Sequence, residues 1–337
     1  MKRVGNLMPQ IASLDNLYLA YRKAIKGKQC KKEVLQFAKH FDDNIRKMQQ
    51  QIMSGTISIG DYRYFTIYDP KERVICAAPF RDRVLQHAIM NVCHNYFDRT
   101  LIDTTFATRR GKGVYAALEM AIDTLSHYNY SVKLDFRKYY DSIDHKVLKC
   151  MLRRMFKDAK LLDLFDKIID SYCTAEGKGL PIGNLTSQYF ANLYLSGLDH
   201  KSQEEWKATK YIRYMDDILI GGNDRSTLKN CTKKMIEYSS SVLKLTLKPP
   251  IFKNSIHGQT FLGYKILPYH CKLSGRSKKR FRSKLLKYNK LLENMMWTER
   301  QYAEHIEPLI SFVRHADSKA FREDCLKKQK VVIEEWV

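Results

Sequence analysis

The first third of the chain changes between two hydrophobic patterns. Within residues 9–55, apolar residues recur three and four positions apart with basic side chains between them, which predicts helices. Residues 54–80 contain short β-rich runs that break at Gly60, Asp69-Pro70 and Pro79. Helical spacing returns in "RDRVLQHAIMNVCHNYF" and in "VYAALEMAIDTLSHY". This part of the chain therefore predicts helices around one short β-rich segment.

The middle and end of the chain mix strands with longer helices. "SVKLDF" alternates with period two and predicts a strand, and a helix is expected to begin near Asn184. "YIRYMDDILIGG" predicts a hairpin with its two acids at the bend. "TKKMIEYSSSVLKLTL" predicts a helix that runs into a strand, "TFLGYKIL" predicts one short strand, and the tail from about residue 275 is helical. Strands interleaved with long helices predict an α+β fold.

The charge of the chain indicates the kind of partner. Its 337 residues carry 59 Lys and Arg against 36 Asp and Glu, a formal net charge of +23. A field of this sign attracts polyanions, of which nucleic acid is the most common in cells. The alternative is a protein that its charge merely keeps soluble and monomeric. Twenty-one tyrosines and 15 phenylalanines add stacking capacity, although most such rings belong to hydrophobic cores.

The cysteines and the apolar runs bear on location. Eight cysteines are dispersed without zinc-like spacing, so we expect small buried hydrophobic residues in a reducing compartment. The start of the chain lacks the long apolar core of a secretory signal, and no run of about 18 apolar residues occurs anywhere. These observations predict a cytoplasmic protein without a membrane partner.

Three carboxylates occupy positions where strands end. Asp135 closes one predicted strand, and Asp216 and Asp217 lie at the predicted hairpin bend. If these elements share a sheet, the acids converge and repel one another unless a cation neutralises them. Mg²⁺ prefers carboxylate oxygen, and two such ions about 4 Å apart suit phosphoryl transfer. The alternative is a strand-terminating aspartate and a solvated turn, because Asp tolerates turn geometry.

The neighbours of these acids carry a resemblance to a known family. "LDFRKYYDSIDH", "LPIGNLTSQYFANLYL", "YMDD" and "FLGYKI" resemble motifs A, B, C and E of reverse transcriptases, in that order. "KERVICAAPFRDRVLQHAI" and "DTTFATRRGKGVYAAL" resemble finger segments of the prokaryotic, group II intron-like branch. The resemblance covers roughly residues 15–270 and implies a right-hand polymerase. It suggests N-terminal helices and fingers in 1–130, a palm in 131–268 and a basic helical thumb in 269–337.

The resemblance implies roles for individual residues. It makes Asp135, Asp216 and Asp217 the catalytic acids and metal ligands for two Mg²⁺ ions, which Mn²⁺ can replace, with the backbone carbonyl of Phe136 as a further ligand. Lys71 and Arg73 would hold the triphosphate of the incoming nucleotide, although exposed finger charges are the alternative. Tyr140 would be the steric gate that leaves no room for a ribose 2′-hydroxyl, so that deoxynucleoside triphosphates are selected. Outside the family context, a tyrosine in a "YY" pair could equally be a core residue.

Motif B departs from the usual pattern and indicates a subfamily. Most reverse transcriptases have Gln-Gly and end the block with Ser-Pro, whereas this chain has Ile182-Gly183 and Ser187-Gln188. This form resembles reverse transcriptases of diversity-generating retroelements, which misincorporate opposite adenine in the template RNA. Ile182 cannot hydrogen-bond the incoming sugar as Gln can. A misaligned base pair would therefore lose less binding free energy relative to a correct pair. Drift at a pocket wall is the alternative for this position.

Two other classes of protein are alternatives to this interpretation. They are a reverse transcriptase of another prokaryotic class, such as a retron or defence-associated type, and a non-catalytic RNA-binding relative. The resemblance implies a prokaryotic or phage-encoded protein that binds template RNA and the RNA–DNA hybrid. It also implies a small basic accessory protein as partner, and we expect no RNase H domain or maturase extension. The residues predicted to contact primer and template are Arg109, Arg110, Lys112, Phe261, Leu262, Gly263, Tyr264, Lys278, Lys279, Arg280 and Arg282.

Overall fold

The computed structural model of the chain describes residues 3–68 and 72–328. Runs of helices and antiparallel β-strands make up these residues, which is the composition of an α+β protein. The helices are α1 (Met8–Ile11), α2 (Leu14–Ile25), α3 (Lys32–Lys39), α4 (Phe41–Ser54), α5 (Phe80–Asp98), α6 (Val114–His127), α7 (Tyr139–Ser142), α8 (His145–Met155), α9 (Ala159–Asp170), α10 (Leu185–Tyr194), α11 (Ser196–His200), α12 (Arg225–Ser241), α13 (Gly275–Glu293), α14 (Glu299–Arg314) and α15 (Lys319–Lys328).

The strands form three antiparallel sheets within the described residues. They are β1 (Arg63–Tyr68), β2 (Glu72–Ala77), β3 (Tyr130–Leu134), β4 (Lys210–Tyr214), β5 (Asp217–Gly222), β6 (Ile251–Asn254), β7 (Gln259–Phe261), β8 (Tyr264–Leu267) and β9 (His270–Leu273). β1 pairs with β2, the central sheet has the order β4-β5-β3-β6, and the third sheet has the order β7-β8-β9. β3 is thus an inner strand with a neighbour on each side.

The chain divides into two compact units. The first comprises the described residues of Met1–Asp103, Phe136–Glu205 and Lys234–Leu247. The second comprises those of Thr104–Asp135, Trp206–Lys233 and Lys248–Val337, and it contains the central sheet and the third sheet. The finer division into fingers, palm and thumb stays a prediction.

Aromatic packing stabilises the first unit. Phe97 and Phe156 lie with ring centroids 5.7 Å apart, and Phe165 is 5.5 Å from both Phe156 and Phe190. These side chains come from α5, α9, α10 and the residue after α8, and all four are buried. Buried aromatic rings contribute large apolar areas, so this cluster fixes how these helices pack.

The second unit has a core between its sheets and helices. Phe261, Tyr264 and Ile266 of β7 and β8 are fully buried, as are Phe281 of α13 and Ile306 of α14. Thr298 begins α14 with a capping box, in which its hydroxyl accepts from the Gln301 backbone N–H and the Gln301 side chain bonds back. The basic α13 is therefore anchored by an apolar face rather than being a free charged helix.

Two predicted strands differ from the structure. Residues 243–247 form no regular strand: Leu243 and Leu245 donate back to carbonyls at the end of α12, and Leu247 makes only an isolated bridge. Pro249 and Pro250 follow and lack the N–H groups that a ladder needs. "TFLGYKIL" is two strands rather than one, because Leu262 and Gly263 adopt positive φ and form the turn between β7 and β8. β9 was not predicted.

The cysteine prediction is correct in part. All eight cysteines are free thiols, and five are buried as expected. Cys30, Cys150 and Cys173 are exposed, so they are not core residues. In the part of the chain that the structure describes, no helix is long and apolar enough to cross a bilayer.

Candidate active site

Antiparallel pairing in the central sheet brings the three carboxylates to one end of it. Leu134, the last residue of β3, pairs with Ile218, the second residue of β5. Asp135, which follows Leu134, and Asp217, which precedes Ile218, therefore lie at the same end of the sheet. The β4–β5 hairpin closes through a two-residue turn, Met215 and Asp216, because Tyr214 pairs with Asp217. The hairpin predicted from the sequence is confirmed, with Asp216 in the turn and Asp217 as the first residue of β5.

Asp216 is under electrostatic stress in this arrangement. Its burial, followed by repulsion from Asp217 and Asp135, raises the pKa of the carboxyl to about 6 from 3.8. Lys248 lowers the pKa but offsets only part of this effect. Closely placed carboxylates with a raised pKa are typical of sites that bind a cation or act in catalysis.

Two lysines face these acids. The Lys133 Nζ lies 2.9 Å from an Oδ1 of Asp217, and Lys248 forms an ion pair with Asp135. Lys133 is diagonal to Asp217 across β3 and β5, on the same face of the sheet. The backbone N–H of Lys248 also donates to the Asp135 carbonyl at 2.9 Å, which brings its side chain to the carboxylate. The two ammonium groups supply positive charge where the acids would otherwise repel.

The donor chemistry of the three side chains fits Mg²⁺. They offer hard oxygen ligands, and burial together with repulsion from Asp217 and Asp135 raises the pKa of Asp216, which a bound cation would counteract. Among the described residues, no group of three or more His, Cys, Asp or Glu side chains is already arranged around a metal position. In this arrangement Asp135 and Asp217 are each paired with a lysine.

A buried arginine supports the turn that carries Asp216. Arg213 is fully buried, and its guanidinium donates to the Met215 carbonyl at 3.0 Å. Its backbone bonds to Thr104 and Phe106 at 3.0 Å each, which attaches β4 to the preceding loop. Met215 has a φ of +52°, a left-handed conformation that is costly for a side chain of this size. We did not predict this role, although an arginine inside an apolar strand was a visible signal.

The Ile182–Gly183 turn lies in the first unit and is closely constrained. Gly183 has a φ of +121°, and a Cβ at this position would lie 3.0 Å from the Cys76 carbonyl oxygen. The Ile182 carbonyl accepts from the Cys76 N–H at 2.8 Å, so the turn is bonded to β2. Only glycine fits this position without strain. Gln188 is on α10, and its side chain is exposed.

The two tyrosines of the "YY" pair have different environments. Tyr139 is buried and its hydroxyl donates to the Ala191 carbonyl, whereas Tyr140 is half-buried. The Tyr140 ring packs edge-on against Tyr139 at 5.8 Å, and its carbonyl accepts from the Leu180 N–H at 2.9 Å. Tyr139 is thus the core residue of the pair. The gate role of Tyr140 stays a prediction.

The other residues predicted to contact nucleotide or primer differ in exposure. Arg73 is exposed on β2, Lys71 lies outside the described residues, and the Phe136 side chain is buried while its carbonyl remains a predicted ligand. Phe261 and Tyr264 are buried in the core of the second unit, which leaves Leu262 and Gly263 at the turn between them.

The basic residues fall into a loop group and a helix group, both in the second unit. Arg109 donates to Thr105, the Lys112 ammonium lies 5.4 Å from the Phe106 ring centre, and Arg110 is exposed. On α13, Lys278 and Arg282 lie over the Phe321 ring at 5.4 and 5.0 Å. Lys279, Arg280 and Arg282 are exposed. The exposed charges of α13 therefore form one basic face opposite its buried side.

Comparison with known families agrees with this site. The family described as "Reverse transcriptase (RNA-dependent DNA polymerase)" matches residues 68–266. The match covers more than half of the chain and includes Asp135, Asp216 and Asp217. The chain therefore belongs to the reverse transcriptase family.

Several known proteins are similar to this chain over part of their length. The group II intron-encoded protein LtrA of Lactococcus lactis subsp. cremoris is 24% identical over 197 residues, which is 55% of this chain and 33% of that protein. The COX1/OXI3 intron 1 protein of Saccharomyces cerevisiae is 21% identical over 281 residues, 64% of this chain and 34% of that protein. The chain thus spans about a third of the length of these two relatives.

A solved structure shows the fold. Apo telomerase from Candida tropicalis superposes with a TM-score of 0.52 at 15% identity, over 83% of this chain and 60% of that one. At this identity the likeness concerns the fold alone. It confirms the α+β fold of the right-hand polymerase class.

Proposed function

We propose that this chain is an RNA-directed DNA polymerase that extends a DNA primer on a template RNA. The observation that carries the proposal is the convergence of Asp135, Asp216 and Asp217 at one end of the central sheet, in a chain of this family. The matching family is described as an RNA-dependent DNA polymerase, which supports RNA as the template. The +23 charge of the chain fits a nucleic acid partner.

The chain's own residues would act as follows. Asp135, Asp216 and Asp217 would hold two divalent ions, which neutralise charge on the attacking and leaving oxygens of the phosphoryl transfer. Lys133 and Lys248 hold the acids in place before that stage. Arg213 keeps the Asp216 turn in its strained conformation. Tyr140 would exclude ribonucleotides, and Lys71 and Arg73 would bind the triphosphate.

Primer extension tests this proposal. Asp216→Asn should abolish the extension of a DNA primer on an RNA template with Mg²⁺ and deoxynucleotides, because an amide does not supply the anionic ligand. Asp224→Asn is the matched control, because Asp224 is exposed and its carboxylate accepts from Ser226 and Thr227 at the start of α12. Wild-type extension rates in Asp216→Asn would show that the acids are not the catalytic site.

We further propose that this polymerase makes error-prone complementary DNA in a diversity-generating retroelement, with misincorporation directed to template adenine. Ile182 and Gln188 support this, because they stand where relatives carry Gln and Pro. A small basic accessory protein is the proposed partner. The proposed setting is the cytoplasm of a prokaryotic host.

The error spectrum tests this finer proposal. Complementary DNA made by the wild type and by Ile182→Gln on one template would be sequenced. We expect errors concentrated opposite adenine in the wild type, and a larger decrease there than opposite other bases in Ile182→Gln. A low error rate, or one equal across the four bases, would contradict the retroelement role and favour another prokaryotic class.

A further inference from the structure

Three contacts fix the beginning of α10 and the turn before it. The Ile182 carbonyl accepts from Cys76, and the Leu185 N–H donates to the Gln86 side chain at 2.9 Å. The third contact joins the Asn184 side chain to the Tyr62 hydroxyl, also at 2.9 Å. The Ile182–Gly183 turn is therefore held by residues from three different parts of the first unit.

Asn184 does not have the role that its position favours. It is the N-cap residue of α10, where an asparagine oxygen usually accepts from a helix N–H. Here its side chain makes no cap hydrogen bond, and its Nδ2 donates to Tyr62 instead. Asn184 is 2% exposed, and within the described chain its Oδ1 is buried without a hydrogen-bond partner. An unpaired buried acceptor is destabilising, so the contact with Tyr62 is not explained by stability alone.

The hydrogen bonds beyond Tyr62 have a definite direction. The Ser171 hydroxyl donates to the Ile168 carbonyl at 2.7 Å, so its oxygen is left to accept from Tyr62 at 2.9 Å. Tyr62 in turn accepts from Asn184. Burial raises the pKa of Tyr62, which keeps its hydroxyl protonated and able to donate. The chain of bonds thus runs from Asn184 through Tyr62 to Ser171 at the end of α9.

We propose that Tyr62 and Asn184 are positioning residues for nucleotide selection, because they fix the Ile182–Gly183 turn through the start of α10. This inference rests on the proposed function and on the position at the wall of the nucleotide pocket that the resemblance to reverse transcriptases implies for Ile182. Neither side chain would touch the nucleotide. The absence of a side chain at Gly183 is what lets the turn lie this close to β2, since a Cβ there would be 3.0 Å from the Cys76 carbonyl oxygen. Movement of the turn is therefore limited by its bond to β2 on one side and by Asn184 on the other.

Tyr62→Phe tests the inference, because it removes only the hydroxyl. We expect KM for the correct deoxynucleotide to rise about fivefold, with kcat nearly unchanged and a higher error frequency on one RNA template. Ser171→Ala should change the same quantities less, since it leaves the Asn184 bond intact. Tyr18→Phe is the matched control, because among the described residues the Tyr18 hydroxyl makes only a long, exposed contact of 3.4 Å with Asp42.

A cycle of single and double variants tests whether the two residues act together. Asn184→Ala combined with Tyr62→Phe should raise KM no more than the stronger single variant, because each change breaks the same hydrogen bond. Additive effects on KM would show that the residues act independently and would overturn the inference.

Ile182→Gln separates this inference from the proposed function. If Ile182→Gln changes KM and errors while Tyr62→Phe leaves both at wild-type values, the positioning role is wrong and the pocket assignment stands. If neither variant changes KM or the error frequency, both the pocket assignment and the inference are wrong. A decrease in kcat and in the thermal midpoint of Tyr62→Phe at constant KM would show a purely structural role, which also overturns the inference.

Discussion

Neutralising Asp216 should stabilise the metal-free protein while it abolishes function. The pKa of this carboxyl is about 6 in the folded protein and 3.8 in the reference state. The difference of about two pKa units corresponds to about 3 kcal/mol at a pH above both values. This is an upper limit, because the side chain keeps some access to solvent and is only half-buried. Asp216→Asn should therefore raise the free energy of unfolding by up to about 3 kcal/mol at pH 8.

The stability gained in Asp216→Asn should increase with pH. A raised folded pKa means that the folded protein binds the proton more tightly, so the unfavourable effect of Asp216 develops as pH rises from 3.8 through about 6. The advantage of Asp216→Asn should be greatest at pH 8, fall to about half at pH 5, and vanish below the unfolded pKa. Removing the charge abolishes the repulsion from Asp135 and Asp217 only where Asp216 would be ionised.

Thermal unfolding in EDTA measures this effect. A gain of 3 kcal/mol corresponds to a midpoint about 4 °C higher for a chain of this size. Added Mg²⁺ should raise the wild-type midpoint and leave that of Asp216→Asn nearly unchanged. Asp224→Asn is the control of opposite sign, because Ser226 and Thr227 donate to Asp224 and hold its pKa below the usual range. An Asp216→Asn midpoint equal to or below wild type at pH 8 would refute the repulsion argument.

Three further predictions concern the nucleotide and the hybrid. Tyr140→Ala should increase ribonucleotide incorporation about 10- to 100-fold with little loss of deoxynucleotide incorporation, and unchanged discrimination in single-nucleotide assays would show that the gate lies elsewhere. Replacing Lys278, Lys279, Arg280 and Arg282 by Gln should reduce the slope of log affinity against log salt by about 3, and an equal slope would assign α13 to solubility. Gly183→Ala should cost about 1–3 kcal/mol of stability and reduce extension, whereas Gly111→Ala, which has positive φ but open space, should leave extension unchanged.

Local patterns were sufficient for the elements that carry the acids. The apolar runs on both sides of Asp216 and Asp217 predicted β4 and β5, and the start of α10 near Asn184 follows from the turn residues before it. These predictions succeed because a tight hairpin and a helix start depend on neighbouring residues. The convergence of Asp135 with the other two acids needed the added assumption of a shared sheet, which the pairing of β3 with β5 confirms.

The features that we did not predict depend on distant partners. Lys248 is 113 positions from Asp135 in sequence, and Tyr62 is 122 positions from Asn184. The spacing of apolar residues along the chain gives no information about such distant pairs. The predicted strand at residues 243–247 failed for a related reason: its apolar alternation is real, but the chain bonds back to α12 instead of to a ladder. Arg213 is the exception, because a charged residue in an apolar strand can be seen in the sequence alone.

We propose that Asp135, Asp216 and Asp217 together bind the divalent ions of the polymerase. Counting bound Mn²⁺ by electron paramagnetic resonance tests it directly, with the wild type, Asp216→Asn and the control Asp224→Asn titrated at pH 8. We expect Mn²⁺ to bind to the wild type and to Asp224→Asn in equal amounts, and to be lost from Asp216→Asn. Equal binding by all three proteins would contradict the assignment of these carboxylates to a metal site.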